Sequence, residues 1–178
     1  MIYPYSDIGY GIWIFGYEKT GPRPKPIDFK ELNVQSDIPR TLVSIKLILR
    51  VWWTSYDYLS PKEYNKEMIV GGILDVSFYN YLTQPEETPG VNYKMKKIYE
   101  GEDALVKHPY PAPDANGVVS YQAAYPMRIY YTLPPYLYIG VSDKIKVVLW
   151  DKTQNCWNTE RIEELKFDFD SKMLTVST

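Results

Sequence analysis

An all-β fold, most simply an antiparallel β-sandwich, is predicted by three features of this sequence. Tyrosine supplies 18 of 178 residues and aromatics 16% in all, and aromatic side chains favour the pleated, half-buried surface of a strand. The apolar runs are short and are separated by proline, glycine, serine and aspartate, as in strands joined by turns. No repeat of fixed period and no heptad pattern runs through the chain. One short helix is expected near residues 61–66. Residues 1–178 read as a single β-rich domain, which also divides into two β subdomains at about 1–82 and 90–178.

Taken in order, Gly9–Tyr17 (GYGIWIFGY) is apolar and bounded by glycines, which predicts a buried strand. Gly21–Pro26 (GPRPKP) alternates prolines, forbidding helix and favouring an extended arm. Phe29–Ile38 is expected as an edge strand closed by Pro39. In Val43–Trp53, residues Val43, Ile45, Leu47, Leu49, Val51 and Trp53 share a face at period two. A helical pattern through Leu42, Ile45, Leu49 and Trp52 competes, but the β-branched and aromatic content favours strand. Ser60-Pro61-Lys62-Glu63 combines an N-cap, a proline at the first helical position and a capping-box glutamate, which places the helix at Pro61–Lys66.

Strand resumes over Ile69–Tyr79, with Gly71-Gly72 marking a bulge or a close backbone approach. Thr83–Val91 and Lys107–Gly117 carry the turn residues of exposed loops. Met127–Thr132, Tyr136–Val141 and Lys144–Trp150 are expected as successive strands broken at Pro134-Pro135 and Ser142-Asp143. Arg161–Phe169 and Met173–Ser177 complete the series around a turn at Asp170-Ser171-Lys172.

Charge and cysteine content narrow the chemistry. Twenty Lys and Arg against 22 Asp and Glu, a net charge of −2, give no cationic excess for neutralising nucleic-acid phosphates. The single Cys156 leaves no internal disulfide and no cysteine-based zinc site. The first residues lack a basic segment followed by an apolar core, and the longest uncharged apolar stretch, Ile8–Tyr17, is about half of a membrane span. No Asn-x-Ser/Thr acceptor occurs. These features predict a cytoplasmic or cytoskeletal protein with no membrane and no nucleic-acid partner.

The catalytic options are thin. His108 is the only histidine, so Cys156–His108 is the only thiol–imidazole pair, and nothing local orients it. Ile69-Val70-Gly71-Gly72 matches the start of a mature trypsin-like protease, yet it is internal and no Gly-Asp-Ser-Gly-Gly segment accompanies it. No glycine-rich phosphate loop is present. Glu160, Glu163, Glu164, Asp168 and Asp170 could supply paired carboxylates for glycoside hydrolysis. Their plainer role is the solvated side of a strand whose other face holds Phe167 and Phe169. Trp52, Trp53, Tyr56 and Tyr58 could stack on sugars, or could pack the core. No catalytic residue, metal or cofactor is predicted.

Four ordered segments resemble one family. They are Ile12-Trp13-Ile14-Phe15-Gly16 with Pro22-Arg23 and Ile27–Asn33; Val43–Arg50 running to Tyr56–Ser60; Ile69–Ile73; and Val148-Leu149-Trp150-Asp151 with Trp157, Thr159 and Ile162. Together they are similar to the β-rich core of the axonemal dynein intermediate-chain family of the cancer susceptibility candidate type. Family members are longer, with a charged helical region ahead of this core. Past Ile73 their proline-rich stretch and tryptophan are replaced by Thr83–Pro89 (TQPEETP). The resemblance implies a non-catalytic scaffold or regulatory subunit of an inner-arm dynein or doublet-microtubule assembly in the ciliary axoneme, with dynein chains or tubulin as partners.

Contact with acidic tubulin would need a local basic patch. Lys19, Arg23 and Lys25 form one candidate, and Lys94, Lys96 and Lys97 another. Trp150 and Trp157, either side of the polar turn Asp151–Asn155, are expected to close one end of the core or to anchor an interface. The competing functional class is a carbohydrate-binding β-sandwich using Trp52 and Trp53.

Overall fold

The structure, a computed structural model, describes residues 7–15, 26–43, 45, 47–59, 69–80, 86–87, 94–95, 106–111, 116, 126–140, 145–152 and 154–178, with backbone alone at 86–87 and 94–95. Its strands are β1 (Ile8–Ile14), β2 (Ile27–Phe29), β3 (Val34–Asp37), β4 (Leu47–Thr54), β5 (Ile73–Asn80), β6 (Glu86–Glu87) and β7 (Lys94–Met95). They continue with β8 (Lys107–His108), β9 (Arg128–Thr132), β10 (Leu149–Asp151), β11 (Cys156–Asn158), β12 (Glu164–Asp168) and β13 (Met173–Ser177). A 3-10 turn at Lys30–Leu32 and a single turn of α-helix, α1 (Arg40–Val43), are the helical elements among the described residues.

All pairings among the described residues are antiparallel. The first sheet has the order β1-β4-β5-β8 and the second β12-β13-β9-β3-β2, with β10-β11 and β6-β7 as separate hairpins. Strands from residues 27–37 therefore lie in one sheet with strands from residues 128–177. One apolar core is shared by the two main sheets. Leu47, Leu49 and Val51 of β4 are fully buried and pack with Val34 of β3, Tyr131 of β9 and Phe78 of β5. Each of these large apolar side chains gains roughly 1.5–3 kcal/mol by leaving water.

The alternation in β4 is the element the sequence shows most plainly. Leu47, Leu49 and Val51 face the core, while Ile48, Arg50 and Trp52 point outward and are half-buried. The strand starts later than its hydrophobic pattern, because Val43 belongs to α1 and Ile45 to the bend that follows. The Pro39 carbonyl accepts from the Leu42 and Val43 amides, and the resulting turn buries Leu42 at the end of the core. Of the competing helical pattern only Leu42 falls in this turn, while Ile45 lies in the bend and Leu49 and Trp52 in β4.

Other expectations are corrected. Of the Gly9–Tyr17 run, residues 9–14 form strand, but not a buried one: among the described residues β1 is an edge strand whose Ile8, Tyr10, Ile12 and Ile14 are 55–72% exposed. Its core-facing register carries Gly9 and Gly11 instead. A Cβ at Gly9 would lie 2.5 Å from Leu32 Cδ2, and one at Gly11 would collide with the Phe29 ring. The second sheet thus packs directly on the β1 backbone. Phe29–Ile38 is not one edge strand. It contains the end of β2, a 3-10 turn and the interior strand β3, with Asn33 in the left-handed region turning the chain between them.

Gly71-Gly72 precede β5 rather than interrupting it. Gly72, at φ +86°, leaves 2.7 Å between its missing Cβ and the Thr54 carbonyl, a close backbone approach and not a bulge. The loop expected over Thr83–Val91 contains β6, which pairs with β7. The one expected over Lys107–Gly117 begins with β8, which extends the first sheet at Phe78 and Tyr79.

Tyr136–Val141 is no strand over its described residues, 136–140. The Leu137 amide closes a turn on the Pro134 carbonyl, and Lys172 Nζ donates to the Pro135 and Leu137 carbonyls. Lys144–Trp150 is likewise irregular over 145–148, and only Leu149–Asp151 pairs. Met173–Ser177 forms β13 as expected, with Asp170–Lys172 turning into it from β12. The helix expected at Pro61–Lys66 and the proline-rich arm at 21–25 lie outside the described residues. No described helix is long and apolar enough to cross a membrane.

Candidate partner-binding face

The outward face of the first sheet collects side chains that a lone sandwich has no structural need to leave in contact with water. Strand register aligns Tyr10 with Trp52 and Asp75, Ile12 with Arg50 and Ser77, and Ile14 with Ile48 and Tyr79. Residues directly opposite in an antiparallel pair share a face, so these three rows form one surface across β1, β4 and β5.

The centre of that surface is polar and ordered. Arg50 Nη2 donates to Asp75 Oδ1 at 3.3 Å, and its guanidinium lies 5.0 Å from the centroid of the Tyr79 ring. The Ser77 hydroxyl, buried opposite Arg50, donates to the same Asp75 oxygen. Both partners of the ion pair stay about one-third or more exposed, so the pair serves orientation more than stability. Arg50 Nε is buried without a hydrogen-bond partner among the described residues.

Beside this centre sits an aromatic pair. The Leu59 amide bonds to Asp57 Oδ1 at 3.0 Å and the Tyr56 amide to Thr54 Oγ1 at 3.1 Å, which turns residues 55–59 back over the sheet. Tyr58 then meets Trp52 with ring centroids 5.3 Å apart and planes inclined at 58°. That inclination gives no single flat shelf of the kind on which a pyranose stacks. Burial against the sheet, and then the charge of Asp75, push the Tyr58 hydroxyl above its ordinary range, with Arg50 opposing.

The other aromatic candidates separate by role. Trp53 points inward, packs on the core and donates its indole N–H to the Gly71 carbonyl at 3.2 Å. Trp150 and Trp157 face each other directly across the β10–β11 hairpin, in edge contact at 5.0 Å. Neither is in the main hydrophobic core among the described residues, and together they form a local clasp of this hairpin. Their half-burial still suits an interface anchor.

Of the basic candidates, Lys94 lies in β7, opposite Glu87 in register. Lys19, Arg23, Lys25, Lys96 and Lys97 lie outside the described residues.

The residues weighed for catalysis have local partners. His108 Nδ1 is 3.1 Å from Asn80 Oδ1, and Cys156 Sγ contacts Gln154 Oε1. Asp168 closes the β12–β13 turn: it accepts from the Ser171 hydroxyl at 2.7 Å and the Asp170 amide at 3.0 Å, which hold its carboxyl below the usual range. Asp170 lies in that turn, so the two acids do not share a strand face. Glu164 pairs with Lys166 two residues on. A depression of about 280 Å³ on the second sheet is lined by Asp28, Lys30, Asn33, Gln35, Tyr130, Thr132 and Met173, with a single carboxylate.

Sequence reasoning named Trp52 and Tyr58 but missed Arg50, Asp75 and Tyr79, and the unit that the five form. The available signal was the outward half of the β4 alternation, where Ile48 and Trp52 interrupt what would otherwise be a polar face. Compared with known proteins, the chain matches no protein-family model and no curated protein sequence.

Proposed function

We propose that this chain is a non-catalytic protein-binding module that docks a partner on the outward face of its first sheet. The observation that carries the reading is the composition of that face: exposed Ile12, Ile14 and Tyr10 flank Trp52, Tyr58, Tyr79 and Arg50 around an ion-paired centre. Trp, Tyr and Arg dominate binding hot spots, and a contiguous apolar surface of this kind on a single domain marks an interaction site.

The partner class comes from the ordered sequence segments and not from the geometry. Their resemblance to the axonemal dynein intermediate-chain family supports a scaffold or regulatory role in an inner-arm dynein or doublet-microtubule assembly, in the cytoplasm and ciliary axoneme. The test is affinity purification of the tagged chain from ciliated cells, with mass spectrometry, alongside a Trp52→Ala/Tyr58→Ala variant that keeps its circular dichroism spectrum. Recovery of dynein chains or tubulin-associated proteins with the parent, and their loss with the variant, is the expected result. Undiminished recovery with the variant would move the site off this face, and recovery of unrelated proteins would discard the axonemal assignment.

A further inference from the structure

We propose that the depression on the outward face of the second sheet binds a single sugar ring, seated on Tyr130. The inference goes beyond the partner face described above. It concerns the other sheet and shares no residue with that face.

The floor of the hollow follows from strand register. Asp28 pairs with Gln35, Gln35 with Tyr130 and Tyr130 with Thr175, so the four form one row across β2, β3, β9 and β13. Their chain neighbours Ile27, Ser36, Tyr131 and Leu174 are buried, so by alternation the row faces outward. Thr132 and Met173, opposite each other, continue the same face.

The wall is the 3-10 turn at Lys30–Leu32. The Asn33 amide bonds to the Lys30 carbonyl at 3.2 Å, and the Thr132 amide to the Asn33 carbonyl at 2.9 Å. Asn33 itself turns in the left-handed region at φ 54°. Backbone bonds thus anchor the wall to β9, and the hollow is formed before any ligand arrives, as small-molecule sites usually are.

Three observations select a sugar. First, the polar groups are mixed: Asp28 accepts, Lys30 donates, and the Asn33, Gln35, Tyr130 and Thr132 side chains do both. Sugar hydroxyls likewise donate and accept at once. Asp28 and Lys30 balance in charge, so the hollow favours a neutral ligand over an ion.

Secondly, none of these polar side chains has a hydrogen bond or ion pair with another side chain among the described residues. Their donors and acceptors are open to a ligand. Thirdly, half-buried Tyr130 and Met173 supply apolar surface for the C–H side of a ring.

The size and the acid content narrow the role. The volume, about 280 Å³, lies just under the roughly 300 Å³ at which small-molecule sites begin, which suits one ring and not a longer glycan. Asp28 is the single lining carboxylate, whereas glycoside hydrolysis uses two. The site therefore binds without cleaving.

Backbone-amide NMR of the whole chain tests the proposal, with glucose, galactose, mannose, N-acetylglucosamine and, for comparison, glycine. Each is titrated to about 10 mM, tenfold above a Kd of about 1 mM. At least one sugar is expected to shift the Gln35, Tyr130 and Thr132 signals saturably, and equally at low and high salt. Asp28→Ala should weaken that binding at least tenfold, as loss of a hydrogen bond to a charged group implies. Tyr130→Ala should abolish it, and Trp52→Ala/Tyr58→Ala should leave it unchanged. Asp28 is exposed, so its variant carries the test even where Tyr130→Ala fails to fold. Silence from every sugar, shifts confined to the first sheet, undiminished affinity in Asp28→Ala, or a response to glycine alone each overturns the proposal.

Discussion

Trp53 and Tyr131, on facing sheets, share one acceptor: the Gly71 carbonyl takes the indole N–H at 3.2 Å and the phenol O–H at 3.0 Å. The carbonyl belongs to the short link that enters β5, so one backbone oxygen ties both layers of the sandwich to their connection. Tyr131 is 8% exposed, and a buried hydroxyl without an acceptor would cost more than its hydrogen bond contributes.

A double-mutant cycle measures that tie. Tyr131→Phe and Trp53→Phe each leave the carbonyl one donor, and loss of the tyrosine hydrogen bond costs about 0.5–1.5 kcal/mol. Removing both leaves the oxygen without either donor, so the double variant should lose more than the sum of the singles. Urea denaturation of the four proteins checks it, and additivity would show that the two bonds are independent.

Alkaline pH should loosen the same joint. Burial raises the Tyr131 pKa from 10.0 to about 12, against a smaller lowering by the Trp53 contact. The native state therefore holds a proton that the unfolded chain has released between these two values. Stability is unaffected below pH 10 and falls as pH rises toward 12, by on the order of 2–3 kcal/mol once both limits are passed. Tyr58 and Tyr110, both raised first by burial, add in the same direction. Unfolding followed against pH should show this decline, and Tyr131→Phe should flatten it.

Gly72 is expected to tolerate no side chain. Its φ of +86° is strained for an L-residue, and an added Cβ would come within 2.6 Å of Trp53 Nε1 and 2.7 Å of the Thr54 carbonyl. Gly72→Ala should cost roughly 1–3 kcal/mol from backbone conformation alone, with the collision in addition. A denaturation midpoint equal to the parent's would remove Gly72 from the account of the β4–β5 link.

Ser36 points the opposite way. It is fully buried on the core register of β3, and its hydroxyl has no hydrogen-bond partner among the described residues. Ser36→Ala removes an unpaired polar group, so the variant should equal or exceed the parent in stability by up to about 1 kcal/mol. A loss of stability in thermal or chemical unfolding would reveal a partner for that hydroxyl.

Adjacent tryptophans should behave differently. Trp53→Ala empties part of the core and should cost about 3–5 kcal/mol. Trp52→Ala gives up chiefly its contact with Tyr58, about 0.5–1.5 kcal/mol, and leaves the fold intact for binding assays. Equal destabilisation by the two would contradict the assignment of inward and outward faces.

Where the chain alternates and where it turns is legible from consecutive residues alone. Leu47, Leu49 and Val51 could be placed on one face because period two is a local property of consecutive residues. Asp170–Lys172 could be placed in a turn because turn chemistry is local too. Val43 and Ile45 were misjudged because the apolar pattern runs on through a helical turn that the Pro39 carbonyl closes. Which apolar runs are covered depends on the stacking of the sheets. Burial depends on what lies across the sheet, and β1, the most apolar run, faces outward while its glycines face the core. Nor could any local pattern pair Trp53 with Tyr131 through Gly71, since the three meet only when the two sheets stack, or assemble Arg50, Asp75, Tyr58 and Tyr79 into one surface.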